Sequence, residues 1–284
     1  MNSTADTGHD PIVLADAQVQ GFRAVLGRVK AVIVAQPGTN GYAYAANELA
    51  KYLGKITGAT FMVADNPVKG FQTIQVGTPY KAAKKEDLCI RFKDRDTLEF
   101  TGDGPLGTLY AVYDFLETQG VVFSVNDYEY VPKIPDLAIP TDYAKVDAPC
   151  MIWRDIWGVI SFDTRFSMKL RLHGGNDKNF WKLFGGPNPA DIAQTVPTRW
   201  VSHRKYYKDH PEWYAFVKRE NKRMPLWVCV SSDAMYEQLY KEIDEEMAKN
   251  PGRREISLGL TDTPYLCECE KCLALQAKHT RSCK

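Results

Sequence analysis

Residues 31–58 read AVIVAQPGTNGYAYAANELAKYLGKITG, and this stretch decides the architecture. Ala31 to Ala35 is a short run of small and β-branched apolar residues, closed by Pro37-Gly38 and Asn40-Gly41. Such a run between turn residues reads as a strand. Beyond it Ala45, Ala46, Leu49, Leu53 and Ile56 recur at helical spacing, and Gly58 is placed to end the helix in a left-handed conformation. Strand followed by helix predicts an α/β layer.

The same alternation continues outward. Phe61 to Val63 and Ile74 to Gly77 read as strands, and Leu88 to Phe92 with Thr97 to Phe100 as a hairpin across Lys93 to Asp96. A second helix is expected from about Gly107 to Gln119, with Leu109, Val112, Tyr113 and Leu116 on one face and Gly120 as its stop. Val121 to Val125 is the expected closing strand. Between Val131 and Pro149 come Pro132, Pro135, Pro140 and Pro149 with little periodicity, which is linker composition. The domains are therefore read as 10–146, an α/β sandwich, and 147–284.

The second half has a different chemistry. All six tryptophans fall after residue 150, and Cys267, Cys269 and Cys272 lie close together. Met151 to Arg154, Trp227 to Val230 and Ile256 to Leu260 read as buried strands. Met235, Leu239, Ile243 and Met247 mark a helix that Ser232 can cap and Asn250-Pro251-Gly252 ends. Strand, helix, strand at this spacing predicts parallel βα units.

Composition narrows the function. With 36 basic and 35 acidic side chains the chain is nearly neutral, so it lacks the cationic excess of a nucleic-acid binder. A hydrophobic fraction of 44% excludes intrinsic disorder, and no apolar run reaches the roughly 18–20 residues of a membrane span. The first ten residues are polar, so no secretory signal is read there.

Gly102-Asp103-Gly104-Pro105-Leu106-Gly107 matches the G-x-G-x-x-G pattern of dinucleotide sites, with Asp127 at the ribose-binding distance. Two features oppose a nucleotide-binding enzyme. Leu98 and Phe100 alternate with Glu99 and Thr101, whereas a strand buried on both faces should be nearly all apolar. Pro105 also removes an amide from the loop.

Tyr44-Ala45-Ala46-Asn47-Glu48-Leu49-Ala50-Lys51-Tyr52-Leu53 with Ile56-Thr57-Gly58 resembles the helix of an accessory domain that precedes the barrel in bacterial alpha-glucuronidases and beta-hexosaminidases. Gly107 to Glu117 with Gly120-Val121 is similar to its second signature helix. His210-Pro211-Glu212-Trp213-Tyr214, Cys229, and Ser257 to Asp262 leading into the cysteines resemble an uncharacterised bacterial glycoside-hydrolase-like family. The resemblance implies an accessory domain followed by a (β/α)₈-barrel-like domain, a carbohydrate partner, no catalytic cofactor, and a periplasmic or secreted location. A barrel takes about 250 residues, so residues 147–284 are expected to form about half of one, an incomplete barrel in a fragment that is itself inactive.

Glycoside hydrolysis uses two carboxylates, and barrel enzymes place them at the C-terminal ends of strands. Asp262 follows an expected strand and is the candidate catalytic carboxylate, with a turn or cap before Thr263-Pro264 as the alternative. Arg154 and His203 are candidates for a sugar carboxylate, and Trp157 and Trp200 for stacking on sugar. Glu212 is a further candidate substrate ligand, while Asp155 fits a turn or salt bridge. Cys229, Cys267, Cys269 and Cys272 can hold a structural zinc, with Cys283 or His279 as alternatives to Cys229 for the fourth ligand. In an oxidising compartment the same thiols would form disulfides. A non-catalytic glycan-binding module is the rival function.

Overall fold

The computed structural model describes residues 22–26, 28–124, 128–151, 153–156, 163–175, 177–185, 196–251, 256–262 and 266–279. The chain divides into two units, Met1–Asn188 and Pro189–Lys284. Among the described residues no helix is long and apolar enough to cross a membrane.

The first unit is built on strands β1 (Ala31–Ala35), β2 (Val63–Ala64), β3 (Gln72–Val76), β4 (Leu88–Asp94), β5 (Thr97–Gly102) and β6 (Lys145–Asp147). They form one mixed sheet in the order β6-β4-β5-β3-β1-β2. β2, β1, β3 and β5 are parallel, with Ile33 facing Ile74 and Ile74 facing Leu98 across the ladders. β4 returns antiparallel to β5 as the expected hairpin, and β6 adds antiparallel to β4.

Helix α1 (Asn40–Thr57) buries Ala45, Ala46, Leu49, Tyr52, Leu53 and Ile56, the stripe that the 3.6 period predicts. Thr39 accepts the Gly41 amide at the start, and Gly58 ends the helix at φ 77° with its amide on the Gly54 carbonyl. Helix α2 (Gly104–Thr118) begins three residues earlier than expected, with Pro105 in its first turn. It is buried all round from Leu106 to Leu116 rather than on one face. The cause is that α2 packs on α1, on the sheet and on α3 (Thr164–Lys169).

Three expectations need correction here. Val122–Phe123 pairs with Glu129–Tyr130 in a separate ladder instead of closing the sheet. The closing edge comes from β6, inside the segment read as linker. The first unit also runs past the expected 146/147 boundary, because Met168 and Phe180, Trp181 and Phe184 on and after α4 (Lys178–Lys182) join the same core as α1 and α2.

The glycine-rich turn is explained by packing. β5 is buried on both faces after all, since Glu99 is paired with Arg91 at 2.9 Å and the Thr101 hydroxyl donates to the Thr78 carbonyl. The strand thus meets the nucleotide-site condition, but the loop does not. A Cβ on Gly102 or Gly107 would stand 2.3 or 2.2 Å from the Asp87 carbonyl oxygen. The Asp103 amide donates to that same carbonyl, and the Asp103 carboxylate accepts the Glu86 amide. The Asp87 carbonyl thus packs against the glycine turn and takes the Asp103 amide, which is then not free to face a phosphate. Asp127 lies outside the described residues. Gly107→Ala should therefore destabilise the fold by about 1–3 kcal/mol through overpacking, read as a lower urea midpoint. An unchanged midpoint would contradict the close approach.

In the second unit, strands β7 (Tyr214–Val217) and β8 (Lys222–Val228) form an antiparallel hairpin. Helix α5 (His203–Tyr206) precedes it; α6 (Asp233–Lys249) and α7 (Glu270–His279) follow. α6 is the helix expected after Ser232, though the Ser232 side chain makes no cap bond. No parallel strand pair occurs here among the described residues, so the expected parallel βα units are not found. Ile256 to Leu260 makes no ladder; its Ser257 and Gly259 carbonyls accept the Trp200 indole N–H and the Val196 amide. Met151, Trp153 and Arg154 form no strand either, and residue 152 lies outside the described residues.

Candidate functional site

Three stretches of the second unit bring four sulfurs together. β8 ends at Val228, and Cys229 follows it with its amide on the Trp213 carbonyl. Cys267 lies on a segment tied to β7 by the Glu268 amide on the Phe216 carbonyl and by the Phe216 amide on Cys267 Sγ at 3.4 Å. Cys269 and Cys272 bracket the start of α7, where the helix dipole favours thiolates.

The four Sγ atoms all lie within 4.8 Å of one another. Cys229 Sγ is 3.7 Å from both Cys269 Sγ and Cys272 Sγ. A tetrahedral ion bound at about 2.3 Å requires sulfur–sulfur edges of about 3.8 Å. A disulfide requires about 2.05 Å. All four are free thiols, and the cluster can coordinate one metal ion. Cys229, Cys267 and Cys272 are buried beside Ala215, Phe216 and Trp227, and Cys269 is half-buried. The hydrogen bond with Cys267 holds the Cys229 thiol well below its ordinary value and pushes Cys267 up. Backbone amides of Ser231, Cys269 and Cys272 also face Cys229, Cys267 and Cys269 respectively. The expected ligand set is brought together as read. Cys283 lies outside the described residues, and His279 stands at the far end of α7.

The other expected site residues fall elsewhere. Asp262 is exposed, next to Thr261, whose hydroxyl donates to the Leu226 carbonyl. Trp200 is 3% exposed with its indole N–H on the Ser257 carbonyl at 2.7 Å, so it is a core residue with no face for a sugar. Trp157 lies outside the described residues. His203 Nδ1 donates to the Pro197 carbonyl at 3.0 Å. Glu212 is exposed and meets His210 Nδ1 at 3.2 Å, while the His210 ring stacks on Trp213 with centroids 4.0 Å apart.

Arg154 belongs to the first unit and is consumed by it. Its guanidinium donates to the Arg171 and Met151 carbonyls at 2.8 and 2.7 Å, and to Glu86 at 2.5 Å. Glu86 also accepts from His173 Nε2 at 3.0 Å, and His173 is fully buried. His173 Nδ1 accepts the Arg154 amide at 3.2 Å, which leaves Nε2 to donate to Glu86. This buried latch was invisible in the sequence: Glu86 and His173 stand 87 positions apart. Lys84, Lys85, Pro149, Cys150 and Met151 join Glu86 and Arg154 around an open pocket of about 300 Å³.

Among known proteins, the family described as a domain of unknown function (DUF4838) matches residues 123–283. No curated protein matches the chain. Solved structures similar to it include a family GH115 4-O-methyl-alpha-glucuronidase with specificity for decorated arabinogalactans, at 14% identity and TM-score 0.41, covering 53% of this chain and 25% of that one. A GH138 enzyme targeting pectin rhamnogalacturonan II is 19% identical with TM-score 0.30, covering 44% and 16%. Streptomyces plicatus N-acetyl-beta-hexosaminidase in complex with Thio-NAglucal is 15% identical with TM-score 0.39, covering 86% and 57%. The chain spans between 16% and 57% of the length of these structures.

Proposed function

This chain belongs to the family described as a domain of unknown function, DUF4838, and we propose that it is part of a carbohydrate-active protein whose second unit is built around a tetrathiolate zinc ion. One observation carries the zinc reading: four sulfurs gathered within 4.8 Å, two of their separations matching the edge of a zinc–thiolate tetrahedron. Four soft donors with no place left for water make a structural site, not a catalytic one. The residues that would hold the ion are Cys229, Cys267, Cys269 and Cys272.

The carbohydrate reading is supported by α1 and α2, whose sequences resemble the signature helices of the accessory domain of alpha-glucuronidases and beta-hexosaminidases. In this reading the substrate class is a uronic-acid or amino-sugar glycan, and the activity is hydrolysis of an O-glycosyl bond. Asp262 supplies one carboxylate, with a second about 5–5.5 Å away for retention or 6.5–9.5 Å for inversion.

The test is a titration of the chain with oligosaccharides of glucuronic acid and of N-acetylglucosamine, followed by nuclear magnetic resonance. Binding near 1 mM, about −4.1 kcal/mol, is expected from a few hydrogen bonds. Asp262→Asn should weaken it about tenfold, the loss of one charge-assisted hydrogen bond. No saturable response to either sugar would contradict the carbohydrate reading and leave the zinc reading standing.

A further inference from the structure

A buried tetrathiolate centre carries a net charge of −2, and its sulfurs need hydrogen-bond donors to offset lost hydration. Three of the four have backbone amides facing them: Cys229 from Ser231, Cys267 from Phe216 and Cys269, and Cys269 from Cys272. Cys272 is 6% exposed. Its partner is the Ser231 hydroxyl, with Oγ at 3.1 Å from Cys272 Sγ. The same oxygen lies 3.4 Å from Cys229 Sγ and 3.6 Å from Cys269 Sγ.

We propose that Ser231 is the fifth residue of this centre, a positioning residue whose hydroxyl supplies a donor to the Cys272 thiolate. The proposal rests on the zinc reading. In the thiol form Cys272 donates to Ser231 Oγ. A metal-bound thiolate has no proton to give, so the bond reverses and the Ser231 O–H donates to sulfur. The placement also explains a local oddity. Ser231 and Ser232 both precede α6, where a serine side chain would ordinarily cap the first turn, yet Ser232 makes no cap bond and Ser231 points its oxygen at three sulfurs instead. Hydroxyls that orient metal ligands typically hold 10–100-fold of the metal affinity.

The test loads the full chain with zinc under reducing conditions and competes the metal away with a chromophoric chelator. Ser231→Ala should weaken zinc binding about 10–100-fold, and Ser231→Thr should restore it. Cobalt-loaded protein adds a readout that mere packing would not move: the sulfur-to-cobalt charge-transfer band shifts in Ser231→Ala and returns in Ser231→Thr. Should Ser231→Ala fail to fold, Ser231→Thr against Ser231→Val compares nearly equal shapes with and without the hydroxyl. Wild-type affinity and an unshifted cobalt band in Ser231→Ala, or in Ser231→Val, overturn the role of Ser231 while leaving the metal site intact. A wild-type chain that binds no zinc overturns the metal reading and this one with it.

Discussion

Cys229→Ser should release the metal and unfold the second unit while leaving the first unit folded. Cys229 Sγ lies 3.7 Å from the sulfurs of Cys269 and of Cys272, and the residue is 3% exposed. The unit has little else to rely on. Its described ladder is one two-stranded hairpin, a structure marginal by itself in water, and its main core gathers around Trp200, Trp213, Tyr214 and Met235. Structural zinc contributes an apparent 10–16 kcal/mol in small domains, which matches or exceeds the whole stability of an ordinary one. Hydrogen exchange is the measurement. Protection should collapse across residues 214–229 and 266–279 in the variant, and across the same residues in chelated wild type. The amides of β1, β3 and β5 should stay protected. Unchanged protection around the cysteines would show that the cluster is incidental.

The second large effect is expected at the latch of the first unit. Glu86→Ala leaves the Arg154 guanidinium, 14% exposed, without its carboxylate. Breaking a buried pair in this way costs about 3–5 kcal/mol, because the surviving charge is uncompensated. The pH dependence has a definite sign. Burial pushes the Glu86 carboxyl up, but hydrogen bonds from His173 and Arg154 outweigh it and hold the group below its ordinary 4.5. A carboxylate lowered in the folded state adds stability above about pH 4.5 that is lost as pH falls through the lower folded value. Wild type should therefore lose this increment in acid, and Glu86→Ala should lack it throughout. Urea midpoints measured from pH 3 to pH 7 check both statements. A variant within about 1 kcal/mol of wild type, with a parallel pH profile, would show that the latch is idle.

Much of the first unit was readable because its elements are long and periodic. α1 is announced by its apolar stripe and by Gly58, and the β4–β5 hairpin by two β-rich runs around Asp94 to Asp96. β6 was not readable. Three residues, Lys145-Val146-Asp147, mostly exposed on an edge and set among prolines, leave no periodic trace. The latch was illegible for another reason: Glu86, Arg154 and His173 meet only through tertiary packing, and nothing in the KKED stretch around Glu86 marks it for burial.

In the second unit the cysteines were legible because the residue type is rare and its chemistry narrow. The strands were not. Apolar residues at Leu258 and Leu260 suggest a buried strand, yet both are exposed, and the Ser257 and Gly259 carbonyls bond to Trp200 and Val196 instead of to a neighbouring strand. Trp200 was a candidate for stacking on sugar, whereas its indole is satisfied in the core. Short apolar runs carry no period of their own, and tertiary partners decide what they become.

The most direct test of the zinc-centred account is the metal content of the chain purified under reducing conditions, combined with titration of its seven thiols. The account predicts about one zinc per chain by elemental analysis, with Cys229, Cys267, Cys269 and Cys272 unreactive until a chelator is added. A chain free of metal with all seven thiols reactive from the start would contradict it.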